Sequence, residues 1–295
     1  MNTADLVSYQ RDGFLLLDII PEAEAIDLRQ RIDAILLPEG RRPTTDRSFH
    51  RSENQHAGDR SSAYGGLSKH YYFHLITDEL FLPIQHVFHH PRILAAIEAL
   101  ISGPLILDNA SLFAAEPGTR YQLGWHRDVI QIPQDEIDET AIFTPARFHN
   151  SVQINWPLYE DQTLWVVPGS HLRPNTPAET AAFRGSRHYA PIDAEMPGAV
   201  NVRISPGQAV LYNNNLIHRG FNPSFSVPRR SLHLGYHNAD RPPTWHFYLL
   251  DETMFTAGYR ARMSPQVGAM IDAYFACRAR HPRMEDTWSF CASGR

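Results

Sequence analysis

Cysteine is scarce in this chain: Cys277 and Cys291 are the only two in 295 residues. They are too few and too close to the C-terminal end for a disulfide framework, which excludes a cross-linked secreted scaffold and fits a reducing cytoplasm. Long apolar runs are missing as well. Segments 14–17 and 105–107 fall far short of the ~20 apolar residues that span a bilayer, and the N-terminus has no charged-then-apolar leader pattern, so no membrane association is expected. Excess positive charge is also absent. The net charge is −5, and Lys and Arg are scattered, so there is no basic face for nucleic acid. Nor is there an internal repeat or a Gly/Ser/Pro linker, and 295 residues are enough for one large barrel or sandwich with appended helices.

The first hundred residues read as largely helical. A short buried strand at Gly13-Phe14-Leu15-Leu16-Leu17 precedes a helix opened by Pro21-Glu22, with Ala25, Leu28, Ile32 and Ile35 at helical spacing. A second helix is predicted from His90-Pro91 to Ile101, with Ile93, Leu94, Ile97 and Leu100 inward and Gly103-Pro104 as its stop. From Leu105 the pattern becomes β, with strands predicted at 105–113, 124–130, 151–158, 163–167, 207–212 and 229–236. Many short strands with longer insertions predict a jelly-roll barrel. The expected organisation is one domain over 1–295: a mostly helical layer (1–104), a barrel core (105–240) and a C-terminal extension (241–295). Insertions at 38–69, 133–150 and 172–198 are expected to ring the barrel mouth as lids, with Arg184, Arg187 and His188 as candidate substrate contacts.

Trp125-His126-Arg127-Asp128 carries the strongest chemical signal. Residues i and i+2 of an extended strand leave the same face, so His126 and Asp128 can reach one metal ion together. A further histidine would complete a 2-His-1-carboxylate facial triad, a set that binds Fe(II) and leaves positions open for a bidentate co-substrate and dioxygen. With 16 His and 32 acidic residues in 295, chance gives roughly two His-x-(Asp/Glu) triplets, yet only His126 has an acid two positions on. His218, after Asn213-Asn214-Asn215-Leu216-Ile217, reads from the residues alone as either the third ligand or an ordinary core or turn histidine.

The order of several fragments resembles the phytanoyl-CoA dioxygenase family of Fe(II)/2-oxoglutarate oxygenases. They are Tyr9-Gln10-Arg11-Asp12-Gly13-Phe14, His90-Pro91 and Trp125-His126-Arg127-Asp128. Then come Leu164-Trp165-Val166-Val167-Pro168-Gly169-Ser170-His171, Pro206-Gly207, His218 and Pro228-Arg229-Arg230-Ser231. The resemblance implies a double-stranded β-helix (a jelly-roll, cupin-like barrel), mainly β with flanking helices. It implies Fe(II) held by His126, Asp128 and His218, with 2-oxoglutarate and O2 as co-substrates. Arg229, eleven residues after His218, falls at the position of the guanidinium that pairs with the 5-carboxylate of 2-oxoglutarate. Strand alternation puts Ser231 beside Arg229 and turns Arg230 outward, unless the register is shifted by one. Asn109 is a further candidate contact to 2-oxoglutarate, Gln153 and Asn155 share a polar strand face, Trp125 and Trp165 read as core, and His171 as a turn stabiliser.

The departures from the family pattern concern positions other than the metal ligands. Ala114-Ala115-Glu116 stand where a Lys is common before Pro117-Gly118, Gln208 replaces a common acid, and the distal histidine continues as His218-Arg219-Gly220. A phytanoyl-CoA substrate is therefore not inherited. Asp128 argues against a halogenase, which has Gly or Ala there. The complete triad argues against a non-catalytic member, and Arg229 against a cupin that does not use 2-oxoglutarate. The reading is an oxygenase that oxidises an unactivated C–H bond of a small metabolite in secondary or natural-product metabolism, most simply by hydroxylation, with desaturation, cyclisation or epoxidation as the alternative outcomes of the same cofactor chemistry, and acts as a monomer or homodimer.

Overall fold

The computed structural model describes residues 1–36, 70–101, 103–118, 120–128, 151–185, 195–240, 250 and 252–280. Helix α1 (Thr3–Asp12) opens on a capping box: the Asn2 side chain accepts from Asp5 N–H, and the Asp5 carboxylate accepts from Asn2 N–H. It ends at Gly13, whose φ of 82° favours glycine and whose N–H donates to the Tyr9 carbonyl. The chain thereby turns into β1 (Phe14–Asp18). Helix α2 (Glu22–Leu36) buries Ala25, Leu28, Ile32 and Leu36, one stripe of its surface. After β2 (His70–His74) and a 3₁₀ segment (Glu79–His89), α3 (Pro91–Leu100) starts with Pro91, where a missing N–H costs nothing.

The remaining elements are β3 (Leu105–Ala115), β4 (Tyr121–Gln122), β5 (Ser151–Pro157), β6 (Leu164–Val166), α4 (Pro177–Gly185), β7 (Val200–Asn201), β8 (Gln208–Asn213), β9 (His218–Asn222), β10 (Arg229–Asn238), α5 (Ala257–Arg260) and α6 (Pro265–Arg280). They form two antiparallel sheets, β1-β8-β5-β10-β3-β2 and β4-β9-β6-β7. This is the mainly β, double-stranded β-helix architecture with flanking helices. One face of the larger sheet is apolar. Leu112, Ile154, Trp156, Leu211, Leu232 and Leu234 join Ile32, Phe88, Ile93, Ile97 and Ile271 from the helices in one core. The register puts Ser111, Gln153, Asn155, Tyr212, Arg229, Ser231 and His233 on the opposite face, because directly opposed residues of antiparallel strands share a side. A polar barrel interior backed by an apolar helical layer is the result.

Several sequence expectations change here. The strand expected at 124–130 is instead a single two-bond bridge between His126 and His218, in which each backbone N–H donates to the other's carbonyl at 2.9 and 3.0 Å. Positions 129 and 130 lie outside the described residues. Four strands went unpredicted: β2 lies next to a polar segment read as loop, β4 and β7 are two residues each, and β9 begins at the histidine itself. Of the three insertions, 38–69, 133–150 and part of 172–198 lie outside the described residues, as do Arg187, His188 and the Arg184 side chain. In the described part of the third, Ala182, Phe183 and Met196 pack with Trp125, Val167 and Ile217. Among the described residues, no helix is long and apolar enough to cross a membrane.

Candidate active site

His126 and His218 meet because of their backbone bridge, which sets their rings 4.2 Å apart between centroids. Each ring is then fixed by the same local device. His126 Nδ1 lies 2.7 Å from the Gly124 carbonyl and His218 Nδ1 2.9 Å from the Leu216 carbonyl, in both cases the carbonyl two residues upstream. A carbonyl only accepts, so both Nδ1 atoms carry a proton, and Nε2 is the atom of each ring left to bind a metal once it gives up its own proton. These Nε2 atoms converge on Asp128, at 3.3 Å (His126 to Oδ1) and 3.1 Å (His218 to Oδ2). The three ligand atoms lie within 4.8 Å of one another. Two imidazole nitrogens and one carboxylate, with the far nitrogens pinned by backbone, fit an Fe(II) ion.

The Asp128 carboxylate pairs with both imidazoles. Burial opposes ionisation of Asp128, but the charges of His218 and His126 and their hydrogen bonds outweigh it, holding the carboxyl well below the usual carboxylate range. Burial opposes protonation of His126 as well, and here too Asp128 prevails, so the imidazole titrates above its ordinary value. Gln153 supports the carboxylate by donating from Nε2 to Asp128 Oδ2, and its Oε1 accepts from the Tyr212 hydroxyl at 3.0 Å. Burial, and next the charge of Asp128, push the Tyr212 phenol well above its usual range, so it remains a donor. Arg127, on the other side of this segment, is 1 % exposed and donates to the Ser170 and Asn215 carbonyls and to Asn175 Oδ1. Asp128 N–H donates to Asn214 O, and Ser170 Oγ accepts from Ile217 N–H, so the loops around both histidines are tied together.

Arg229 and Ser231 share the interior face with Gln153 and Asn155. Arg229 Nε donates to Asp161 Oδ2 at 3.0 Å, while its buried Nη1 has no hydrogen-bond partner among the described residues. Aromatic rings surround its guanidinium, with centroids at 4.7 Å for Tyr121, 5.2 Å for Phe113 and 5.9 Å for Phe225. Ser231 Oγ donates to Asn155 Oδ1, and Asn109 Oδ1 accepts from Ser111 Oγ at 2.7 Å. Arg230 does leave the interior, but it does not reach solvent. It is 1 % exposed and donates to Asp33, Glu116 and the carbonyls of Ala115 and Arg229, because α2 covers that sheet face. His171 bonds the Gln10 carbonyl at the end of α1, holding a longer-range contact than its own turn. Trp125 is buried as expected, with Arg219 over its ring at 4.6 Å.

Sequence reasoning missed Asp161, Tyr121 and Tyr212. Tyr212 lies in a predicted strand at the same parity as the interior residues, a signal that pairing with Gln153 would have exposed. Asp161 sits in an irregular acidic stretch, Tyr159-Glu160-Asp161, with no periodicity to mark it.

Two antiparallel sheets enclosing a His-x-Asp and a distal His define a double-stranded β-helix of the cupin-like oxygenase type. The chain belongs to the phytanoyl-CoA dioxygenase family of Fe(II)- and 2-oxoglutarate-dependent oxygenases, whose family model, Phytanoyl-CoA dioxygenase (PhyH), matches residues 9–231. No curated protein matches it. Among solved structures it is similar to AviO1 from Streptomyces viridochromogenes Tue57, with 20% identity, TM-score 0.55 and coverage of 83% of this chain and 98% of that one. HygX from Streptomyces hygroscopicus, crystallised with nickel, 2-oxoglutarate and hygromycin B, gives 15% identity, TM-score 0.54 and coverage of 81% and 88%. SnoK, an alpha ketoglutarate dependent carbocyclase from nogalamycin biosynthesis, gives 17%, 0.52, and 81% and 85%. At these identities the likeness concerns the fold.

Proposed function

We propose that the protein is an Fe(II)/2-oxoglutarate-dependent dioxygenase that hydroxylates an unactivated C–H bond of a small metabolite in cytoplasmic natural-product metabolism. The observation that carries this reading is the convergence of His126 Nε2, Asp128 and His218 Nε2, with both Nδ1 atoms held by backbone carbonyls. When bound there, Fe(II) supplies the oxidising chemistry, using O2 and 2-oxoglutarate and releasing succinate and CO2. The chain's own work is to bind and orient. His126, Asp128 and His218 would hold the metal; Gln153 fixes the carboxylate and Tyr212 fixes Gln153. Arg229 offers its Nη1, which has no hydrogen-bond partner among the described residues, to the far carboxylate of 2-oxoglutarate, as a charge-assisted donor in a buried setting. Ser231 and Asn109 line the same interior as further candidate contacts. The polar face formed by Ser111, Asn155 and His233 favours a substrate with polar groups over a purely apolar one. The structural neighbours crystallised with hygromycin B or named for nogalamycin biosynthesis support the natural-product setting, and the carbocyclase keeps ring closure as an alternative outcome of the same cofactor chemistry.

The test is a substrate panel followed by succinate release, with His126→Ala, Asp128→Ala and His218→Ala alongside. Substrate-dependent succinate formation by the parent and none by the three variants is expected. Turnover near the parent rate in any one variant at subsaturating iron would strike that residue from the triad, and hydroxylation would be replaced by desaturation or cyclisation if the product gained no oxygen.

A further inference from the structure

Gly220 is the residue of His218-Arg219-Gly220 that the function leaves unexplained. Its φ is not in the left-handed region, so glycine is not required there by backbone conformation. Space is the reason. A Cβ at position 220 would lie 2.4 Å from Tyr121 Cε1 and 3.3 Å from its Cδ1 and Cζ. The Tyr121 ring therefore rests directly on the β9 backbone, and its register, Tyr121 opposite Asn222 and Gln122 opposite Phe221, together with Leu123 N–H donating to Gly220 O at 2.7 Å, fixes it there. From that seat, the ring stands 4.7 Å from the Arg229 guanidinium and meets Phe113 edge-on at 6.2 Å.

Arg229 has a second support. Asp161 is held by two backbone bonds to Ile204 (3.0 and 2.9 Å) and by Thr163 N–H donating to its Oδ1 at 2.6 Å, which leaves Oδ2 for Arg229 Nε. With Nε committed, the guanidinium turns about that bond unless something blocks it, and the faces of Tyr121, Phe113 and Phe225 block it. A buried cation walled by aromatic faces is also favourable electrostatically.

We infer that Tyr121, seated on Gly220, is a positioning residue for Arg229: with Asp161 on Nε, its ring holds the guanidinium so that the Nη edge is left for the distal carboxylate of the co-substrate. This rests on the reading of Arg229 as the 2-oxoglutarate clamp. The experiment measures 2-oxoglutarate binding by calorimetry to the full chain loaded with Mn(II), with Mn(II) affinity and thermal unfolding recorded for each variant. Gly220→Ala and Tyr121→Ala should each weaken 2-oxoglutarate binding about tenfold, with Mn(II) affinity within about twofold of the parent, and Tyr121→Phe should remain within about threefold. The double variant should bind no more weakly than Tyr121→Ala alone, because the added methyl then has room. A double variant that shows the full product of both single losses overturns the inference, as does Tyr121→Phe falling as far as Tyr121→Ala, which would assign the effect to the hydroxyl. Arg229→Ala separates the two readings. If it weakens binding while Gly220→Ala and Tyr121→Ala do not, only the positioning role fails; if it binds like the parent, the clamp and this inference fall together.

Discussion

Gln153→Leu removes the side chain that ties the Asp128 carboxylate to the Tyr212 hydroxyl. Gln153 is 1 % exposed, donates to Asp128 Oδ2 and accepts from Tyr212. Leucine is close in size, so packing changes little, and the cost is polar. A hydrogen bond to a charged acceptor contributes roughly 1.5–3 kcal/mol, and leaving the Tyr212 hydroxyl unpaired in the interior costs about 1–3 kcal/mol more. Leucine's easier burial offsets part of this, so the metal-free variant should lose about 2 kcal/mol in urea unfolding. The larger signal should appear in metal affinity. Loss of a group that orients a first ligand typically weakens binding by about 10–100-fold, and competition against a chromophoric chelator reads that directly. Metal affinity within about threefold of the parent, with the predicted loss of stability still present, would refute the claim that Gln153 orients Asp128 for the metal.

Three further outcomes follow from the same structure. Arg229→Ala should weaken 2-oxoglutarate binding by about 1.5–3 kcal/mol with iron affinity unchanged, whereas Arg230→Ala should spare binding but destabilise the fold by roughly 3 kcal/mol, because it strands Asp33 and Glu116 at the edge of the core; calorimetry and denaturant unfolding separate the two. Gly207→Ala should destabilise by more than 1 kcal/mol in roughly any denaturation assay, since φ is 91° and the new Cβ would lie 2.5 Å from the Ile20 carbonyl oxygen, which is backbone and cannot turn aside. In the metal-free protein the raised His126 pKa adds stability that is complete below 6.5 and lost as pH rises through the folded value, while the depressed Asp128 pKa adds stability that is complete above 3.8 and lost as pH falls through its folded value. Fe(II) binding needs neutral His126, so affinity should rise with pH over the range in which metal-free stability falls. Unfolding and metal titrations at about pH 5 and about pH 9 test the opposition, and a parallel trend would contradict it.

Helices α2 and α3 were legible because their apolar residues repeat at helical spacing, and α3 carries its own proline start. The long strands β3 and β8 were legible from apolar stretches and β5 and β10 from alternation of apolar with polar residues, each bounded by turn residues. The segment holding His126 and Asp128 has strand spacing without being a strand, because a single bridge to His218 and a loop bond from Asp128 N–H to Asn214 O do the positioning. Short β4, β7 and β9 carry too few residues for a period to show. Arg230 was expected to face outward, and the direction is right; that α2 lies over it depends on packing that no local pattern encodes. Tyr121 and Asp161 escaped notice for the same reason, since each meets Arg229 from a distant part of the chain.

His126, Asp128 and His218 are proposed to hold Fe(II) beside a 2-oxoglutarate site. Anaerobic addition of Fe(II) and then 2-oxoglutarate to the purified chain, followed by visible absorption, tests it most directly, because a 2-oxoacid chelated to Fe(II) gives a charge-transfer band that neither component gives alone. The expected band saturates at one Fe(II) per chain and is abolished by Asp128→Ala or His218→Ala. No band in the parent protein under saturating iron and 2-oxoglutarate, or an undiminished band in those variants, would contradict it.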